Sequence, residues 1–334
     1  MLDLSLAPRH GGALVSASAR YGVPLADWLD LSTGINPHPY PLPEFLPADL
    51  CRLPDPAALA ALVATARASY GAGANLTIAP VPGSDLALRL LPLLAPAGDI
   101  AVVAPTYSGH AEAWRSAGRR VLEVNSVEEG VERADIVVLV NPNNPDGRTV
   151  APKFLLEMAV RLDSRGGLLV VDEAFGDIAP ALSVIPHLHE QPILVLRSFG
   201  KFYGLAGLRL GFVLGAGALV ERLKAVVGDW PLSGPAIRIG RKALADEGWQ
   251  SATRHRLQVD RARLGALLGD AGLEVEGGTD LFVLVRTRSA TTLHEALAQQ
   301  GIWTRVFADQ PDRIRIGLPP DAGFGRLQTA LRQG

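Results

Sequence analysis

Short continuous apolar runs alternate with segments of helical period through the middle of the chain. The runs LTIAPVPG (76–83), DIAVVAPTY (99–107), RVLEVNS (120–126), DIVVLVNPNNP (135–145), GLLVVDEAF (167–175), PILVLRSFGK (192–201) and LGFVLG (210–215) are rich in Val, Ile and Leu and close on Pro, Gly, Asn or Asp. Continuous rather than alternating apolar character predicts strands buried on both faces. Between them, SDLALRLLPLLA (84–95), HAEAWRSAG (110–118) and PKFLLEMAVRLDSRG (152–166) repeat apolar residues at helical spacing. Such alternation predicts an α/β domain over 49–225, a mostly parallel sheet with helices on both faces.

The flanks read differently. A helical block fills 235–270, with Pro235 suited to a first turn, and LEVEGG, DLFVLVR, GIWTRVF and RIRIGLP then predict a small sheet with one more helix. Residues 226–334 are therefore expected to form a smaller α+β lobe. The first 48 residues hold an amphipathic piece around Gly12–Tyr21 and a proline-rich path, LSTGINPHPYPLP (31–43), too irregular for the main sheet. We expect residues 1–48 to be an arm that joins the small lobe and crosses the active-site cleft. No repeat and no low-complexity linker divides the chain.

Charge and composition remove several function classes. A formal net charge of −2 over 334 residues, with no concentrated Lys/Arg stretch, offers no field to gather nucleic acid. Cys51 is the only cysteine, which excludes an intrachain disulfide and a multi-thiolate metal centre. No stretch approaches the roughly 20 apolar residues that cross a bilayer, and the N-terminus lacks a signal pattern. A soluble cytoplasmic protein without membrane or metal is expected. Lysine occurs only at Lys153, Lys201, Lys224 and Lys242, and one of these amines sits in the glycine-rich bend SFGKFYGLAGLRLGF (198–212).

In open α/β sheets ligands bind beyond the carboxyl ends of the strands, so the residues there are the candidates. PVPGSD (80–85) places Gly83, Ser84 and Asp85 at a helix start, where free amides suit phosphate; a side-chain N-cap by Ser84 or Asp85 is the plainer alternative. Tyr107 in PTYSGH either stacks on a flat ring or packs. NPNNPDG (141–147) puts amides at a strand end, for binding or as a structural turn. Asp172 in VVDEAF ends a buried run and needs a cationic partner, which is either a structural arginine or a protonated ring nitrogen. Lys201 lies just past a strand in apolar surroundings that favour a nucleophilic amine, or it is simply solvated. Ser198 and Arg209 flank it with groups suited to phosphate.

Taken in order, PGSD, PTY, NPNNPDG, VVDEAF and SFGKFYGLAGLRLG resemble the cofactor site of the fold-type-I, aspartate-aminotransferase-like enzymes that use pyridoxal 5′-phosphate. The similarity spans nearly the whole chain. It implies Lys201 as the Schiff-base lysine and Asp172 as the acid on the pyridinium nitrogen. Asn144 would bond the phenolic oxygen and Tyr107 would stack on the ring. The phosphate would be held by Gly83, Ser84, Asp85, Ser198 and Arg209, and Arg315 in RIRIGLP would grip the substrate α-carboxylate. Two positions depart from the family: Phe175 stands where many relatives have tyrosine, and Leu53 where many have a tyrosine that reaches the partner subunit's phosphate. The resemblance also implies a homodimer.

RHGG (9–12), WLDLSTGINPHPYP (28–41) and WPLSGPA (230–236) are similar to the branch that decarboxylates L-threonine O-3-phosphate to (R)-1-amino-2-propanol O-2-phosphate in cobalamin synthesis. Histidinol-phosphate-type aminotransferases, which take 2-oxoglutarate, are the competing branch. Candidates for the substrate phosphate are His10, Thr33, Gly34, Asn36 and Arg305. A dinucleotide-dependent oxidoreductase is disfavoured because GAGA at 71–74 and 215–218 lacks GxGxxG spacing. A non-catalytic regulatory module is disfavoured because the first 48 residues carry no DNA-binding segment.

Overall fold

The computed structural model describes residues 11–44 and 46–333, so His10 lies outside the described residues. In chain order the elements begin with α1 (Leu14–Tyr21), β1 (Leu29–Asp30), α2 (Ala48–Cys51), α3 (Pro56–Ser69), β2 (Thr77–Val81), α4 (Ser84–Leu94), β3 (Ile100–Val103) and α5 (Gly109–Ser116). They continue with β4 (Val121–Val124), α6 (Val127–Arg133), β5 (Ile136–Val140), α7 (Pro152–Asp163), β6 (Leu168–Asp172), β7 (Ile193–Ser198), β8 (Gly211–Gly215), α8 (Ala218–Val227) and α9 (Gly234–Leu244). The last are α10 (Glu247–Asp270), β9 (Glu274–Thr279), β10 (Phe282–Arg286), α11 (Ala290–Gln299), β11 (Ile302–Trp303), β12 (Arg305–Phe307), β13 (Gln310–Gly317) and α12 (Asp321–Gln333).

Two compact units result. The larger, Pro39–Asn144 with Arg148–Ser251, holds a seven-stranded sheet in the order β2-β8-β7-β6-β5-β3-β4. Every residue of β3, β5, β6 and β8 is buried, as their continuous apolar runs require. Only β8 runs against its neighbours. The 12 residues between β7 and β8 contain no α-helix, so the chain has no crossover to carry it into a parallel strand and turns back instead.

Caps start several of the helices. Asp55 accepts from the Ala57 amide ahead of α3, which has Pro56 in its first turn, and Ser126 and Ser233 cap α6 and α9 in the same way. The larger unit extends to Ser251, beyond the boundary expected at 225, because α9 lies close on α3. A Cβ at Gly240 would stand 2.6 Å from Leu210 and 3.0 Å from Leu62, and Arg238 Nε bonds Asp49 Oδ2 at 2.7 Å.

The smaller unit, Met1–His38, Pro145–Gly147 and Ala252–Gly334, holds an antiparallel sheet in the order β12-β13-β10-β9. The N-terminal path stays out of the seven-stranded sheet: β1 pairs with β11, and Leu31 bonds Trp303 through its amide at 2.7 Å and Gly317 through its carbonyl at 2.8 Å. Trp28 and Trp303 meet edge-on, 5.7 Å between ring centroids, with Tyr21 against both. No helix among the described residues is long and apolar enough to cross a membrane.

Candidate active site

Strand register in the larger unit brings the candidate residues to one edge of the sheet. Val81 pairs with Gly211 and Gly211 with Ser198, while Val140 pairs with Asp172 and Asp172 with Leu196. The chain therefore leaves β2, β5, β6 and β7 along the same side, where PGSD, NPNNPDG, DEAF and SFGK follow.

At the β2 end, Gly83 is the N-cap of α4 with φ 82°, and no side chain caps the helix. The plainer alternative, capping by Ser84 or Asp85, is thereby removed. The first amides of a helix have no intrahelical acceptor and lie at its positive end. Arg209 closes over them: a Cβ at Gly83 would stand 2.5 Å from Arg209 Nη2, and one at Gly211 only 2.6 Å from the Ser84 amide nitrogen. Arg209 is itself the only non-glycine residue with positive φ among the described residues, at 53°, an uncommon conformation held here beside the helix end. These glycines, amides and guanidinium bring free donors and positive charge together, as an anion requires.

Asp172 is buried at the end of β6, and its partner is His110 rather than an arginine. Asp172 Oδ2 lies 2.9 Å from His110 Nε2, and Oδ1 accepts from the Ala174 amide at 2.9 Å. Where the carboxylate is ionised it only accepts, and the imidazole then donates through Nε2. His110 is a candidate site residue that the sequence reading passed over. Its only signal was a position three residues after Tyr107, one helical turn on in PTYSGH. The two rings meet edge-on at 6.2 Å. Burial, then the charges of Asp85 and Asp172, push the Tyr107 hydroxyl up to about 12, so it is neutral at physiological pH.

The structural arginine sits one residue along. Arg197 Nη1 bonds Glu173 Oε2 at 2.9 Å and Nη2 bonds Asp177, while Ser183 Oγ and the Val184 amide donate to Glu173 at 2.6 and 2.8 Å. Burial pushes the Glu173 carboxyl up against the opposing pull of Arg197. Burial also acts against the Arg197 charge, but Asp177, Tyr70 and Glu173 outweigh it and raise the guanidinium above its usual range.

In NPNNPDG the first two asparagines brace the loop. Asn141 exchanges bonds with Val150, donating at 3.0 Å and accepting at 2.9 Å. Asn143 accepts from Thr106 Oγ1 at 2.6 Å and donates to the Pro105 carbonyl at 2.9 Å. These bonds tie the loop to the one bearing Tyr107 and leave half-buried Asn144 next in line. Lys201 is half-buried with Nζ 5.8 Å from the Phe175 ring centroid. Its bend is rigid: Phe199 stacks on Tyr203 at 4.1 Å, Tyr203 stacks on Trp249 at 5.7 Å, and the Gly204 amide returns to the Lys201 carbonyl at 3.2 Å.

In the smaller unit Arg305 and Arg315 are directly opposite in the β12–β13 register. Like charges across an antiparallel pair repel, so the arrangement suits an anionic guest. Burial, then Arg305, pulls the Arg315 guanidinium down, and Asp30 opposes them. Thr33, Gly34 and Asn36 belong to the same unit, and Asn36 Oδ1 accepts from the His38 amide at 2.8 Å.

The residues of the larger unit fit pyridoxal 5′-phosphate by their donor chemistry: a glycine-lined anion cradle, a buried carboxylate held by an imidazole, a neutral aromatic and an amine in an aromatic bend. The pattern of the aminotransferase class I and II family matches residues 55–330. Over 325 residues the chain is 43% identical to a threonine-phosphate decarboxylase of Pseudomonas aeruginosa, covering 96% of each. It is 44% identical to one of Sinorhizobium sp, covering 96% of this chain and 97% of the relative. A histidinol-phosphate aminotransferase of Sodalis glossinidius is 31% identical over 89% of each chain. Among solved structures, histidinol-phosphate aminotransferase from Sinorhizobium meliloti, in complex with pyridoxal-5′-phosphate, matches the fold with a TM-score of 0.83 at 23% identity, covering 100% of this chain and 96% of that one.

Proposed function

This chain belongs to the aminotransferase class I and II family, and from that premise we propose that it is a pyridoxal-phosphate-dependent decarboxylase of L-threonine O-3-phosphate. The reaction releases CO2 and gives (R)-1-amino-2-propanol O-2-phosphate, a step of cobalamin biosynthesis. The observation that carries the substrate is identity of 43 and 44% to two threonine-phosphate decarboxylases, sustained over 96% of the chain. The aminotransferase relative is more distant, at 31%.

When bound, the cofactor supplies an aldehyde for amines and a pyridine ring that accepts the electron pair released at Cα. Residue roles follow from chemistry. Lys201 Nζ is the amine that would hold the aldehyde and, once released, would be the group to carry a proton to Cα in place of the lost carboxylate. Asp172, steadied by His110, would keep a proton on the ring nitrogen, whose positive charge would compensate the buried carboxylate. Tyr107 would lie on the ring face and Asn144 would bond the phenolic oxygen, where Phe175 offers no hydroxyl. Gly83, Ser84, Asp85, Ser198 and Arg209 would hold the phosphate.

Arg315 forks onto the substrate carboxylate, and Arg305, with Thr33, Gly34, Asn36 and His10, meets the substrate phosphate. Two facing cations match a substrate that carries two anionic groups. The larger unit, Pro39–Asn144 with Arg148–Ser251, bears the cofactor, and the smaller one, which takes in the N-terminal arm to His38 and Ala252–Gly334, supplies the substrate contacts. The enzyme acts as a cytoplasmic homodimer.

The test is a purified chain loaded with pyridoxal 5′-phosphate. It turns yellow, borohydride fixes the cofactor to Lys201, and threonine phosphate yields CO2 without a keto-acid acceptor. An absolute requirement for 2-oxoglutarate would instead identify a histidinol-phosphate-type aminotransferase. Sedimentation of the same sample at twice the protomer mass checks the dimer.

A further inference from the structure

Ser32 is fully buried and joins its own stretch to two others of the smaller unit. Its hydroxyl accepts from the Gly12 amide at 2.8 Å and donates to Asp30 Oδ1 at 2.6 Å, and its own amide donates to the same oxygen at 2.9 Å. Its carbonyl accepts from Arg315 Nη2 at 2.5 Å. The hydroxyl thus uses its one hydrogen and one lone pair in fixed directions, which sets the backbone at residue 32 and with it the carbonyl that faces Arg315.

The glycine pair beside Ser32 is shaped to it. A Cβ at Gly11 would stand 2.6 Å from the Ser32 carbonyl oxygen and 2.9 Å from Oγ, closer than real side chains come. Gly12 has φ 84°, which an L side chain adopts only with strain, and in this pose its amide points at Ser32. Gly11 and Gly12 are the second half of RHGG, so the segment that follows His10 meets Ser32 through its glycine backbone, with the Gly12 amide on the Ser32 hydroxyl. Arg315 is buried directly opposite the like charge of Arg305, and the Ser32 carbonyl is one acceptor that directs its planar fork.

We propose that Ser32 is a positioning residue that couples the seating of Gly11 and Gly12 to the orientation of the Arg315 guanidinium, so that the N-terminal segment governs the grip on the substrate carboxylate. This rests on the assignment of Arg315 to that carboxylate. Neither Gly11 nor Ser32 needs to touch substrate for the coupling to operate. Binding of carboxylate-bearing ligands depends on it more strongly than binding of ligands that carry only the phosphate.

The experiment compares the loaded wild-type enzyme with S32A, G11A and the double variant. Ser32→Ala removes both hydroxyl bonds and keeps the carbonyl; Gly11→Ala displaces the segment from the other side. Each raises KM for L-threonine O-3-phosphate about tenfold, the effect of roughly one hydrogen bond, with kcat nearly unchanged. The double variant is no worse than the poorer single one, because both break the same link. Calorimetric titration with the product, which keeps the phosphate and lacks the carboxylate, gives a Kd that rises in each variant by much less than KM for the substrate.

Unchanged KM in both single variants, or product binding weakened as much as substrate, overturns the coupling. If S32A does not fold, G11A with the product titration decides alone. A wild-type enzyme that releases no CO2 from threonine phosphate fails the functional reading instead, before Ser32 is tested.

Discussion

Gly211 shows how closely single residues define the cofactor cradle. A Cβ there would meet the Ser84 nitrogen at 2.6 Å and the Arg197 carbonyl oxygen at 2.9 Å, both backbone atoms that cannot swing aside. Gly211→Ala is therefore expected to cost about 1–3 kcal/mol of stability, as overpacking does, and to lower affinity for pyridoxal 5′-phosphate by moving the start of α4. Urea unfolding and a fluorescence titration with the cofactor check the two effects; an alanine variant with wild-type values in both would show that the row Val81–Gly211–Ser198 has slack. Glycine at 211 carried no such message in the sequence, where it was one of many in GLAGLRLG. The same limit hid His110. Asp172 was visibly in need of a partner, but which residue lies beside it depends on α5 bringing a ring across from β3, a contact 62 residues apart in the chain.

At the scale of elements, the strands were legible because a sheet covered on both faces imposes continuous apolar runs, and the functional residues sit where those runs stop. What was not legible is how alternation divides neighbouring charges between two faces. Asp172 and Glu173 are adjacent, as are Arg197 and Ser198, and successive strand residues point to opposite sides. Asp172 and Ser198 are therefore expected on the cofactor side and Glu173 and Arg197 behind it, where they pair at 2.9 Å with Asp177 as a third member. This triad fastens the ends of β6 and β7 to the 177–184 stretch. Arg197→Met would leave Glu173 and Asp177 buried without their cation and is expected to cost about 3–5 kcal/mol. Replacing all three by apolar residues of similar volume is expected to recover much of that loss, since the desolvation penalty goes with the charges. Equilibrium urea curves for the single and triple variants provide the comparison, and a triple variant worse than the single one would contradict it.

For the whole molecule, the distribution of the candidate residues is the chief lesson: the set assigned to the cofactor lies in the larger unit and the set assigned to the substrate in the smaller one. Compact motifs announced the first set. The second depends on pairing between distant segments, Leu31 with Trp303 and Gly317, and Arg305 with Arg315, which no local pattern encodes. That pairing also makes the smaller unit sensitive to acid. His294 on α11 is buried with Nδ1 2.8 Å from Thr304 Oγ1, and its ring centroid lies 4.5 Å from that of Trp303. Burial pulls its pKa down from 6.5 to about 4; Arg20 and Arg305 act in the same sense and Glu295 against it. The unfolded chain binds this proton near pH 6.5 and the folded chain only near pH 4, so stability is full above 6.5 and declines as pH falls through that window. The loss approaches about 3 kcal/mol near pH 4. His294→Gln can keep a bond to Thr304 without a titrating ring, so its melting temperature should change less than that of wild type between pH 6.5 and 4.5, a range above most carboxylate titrations. Parallel pH dependence in the two proteins would mean that His294 is not the group that makes this fold acid-labile.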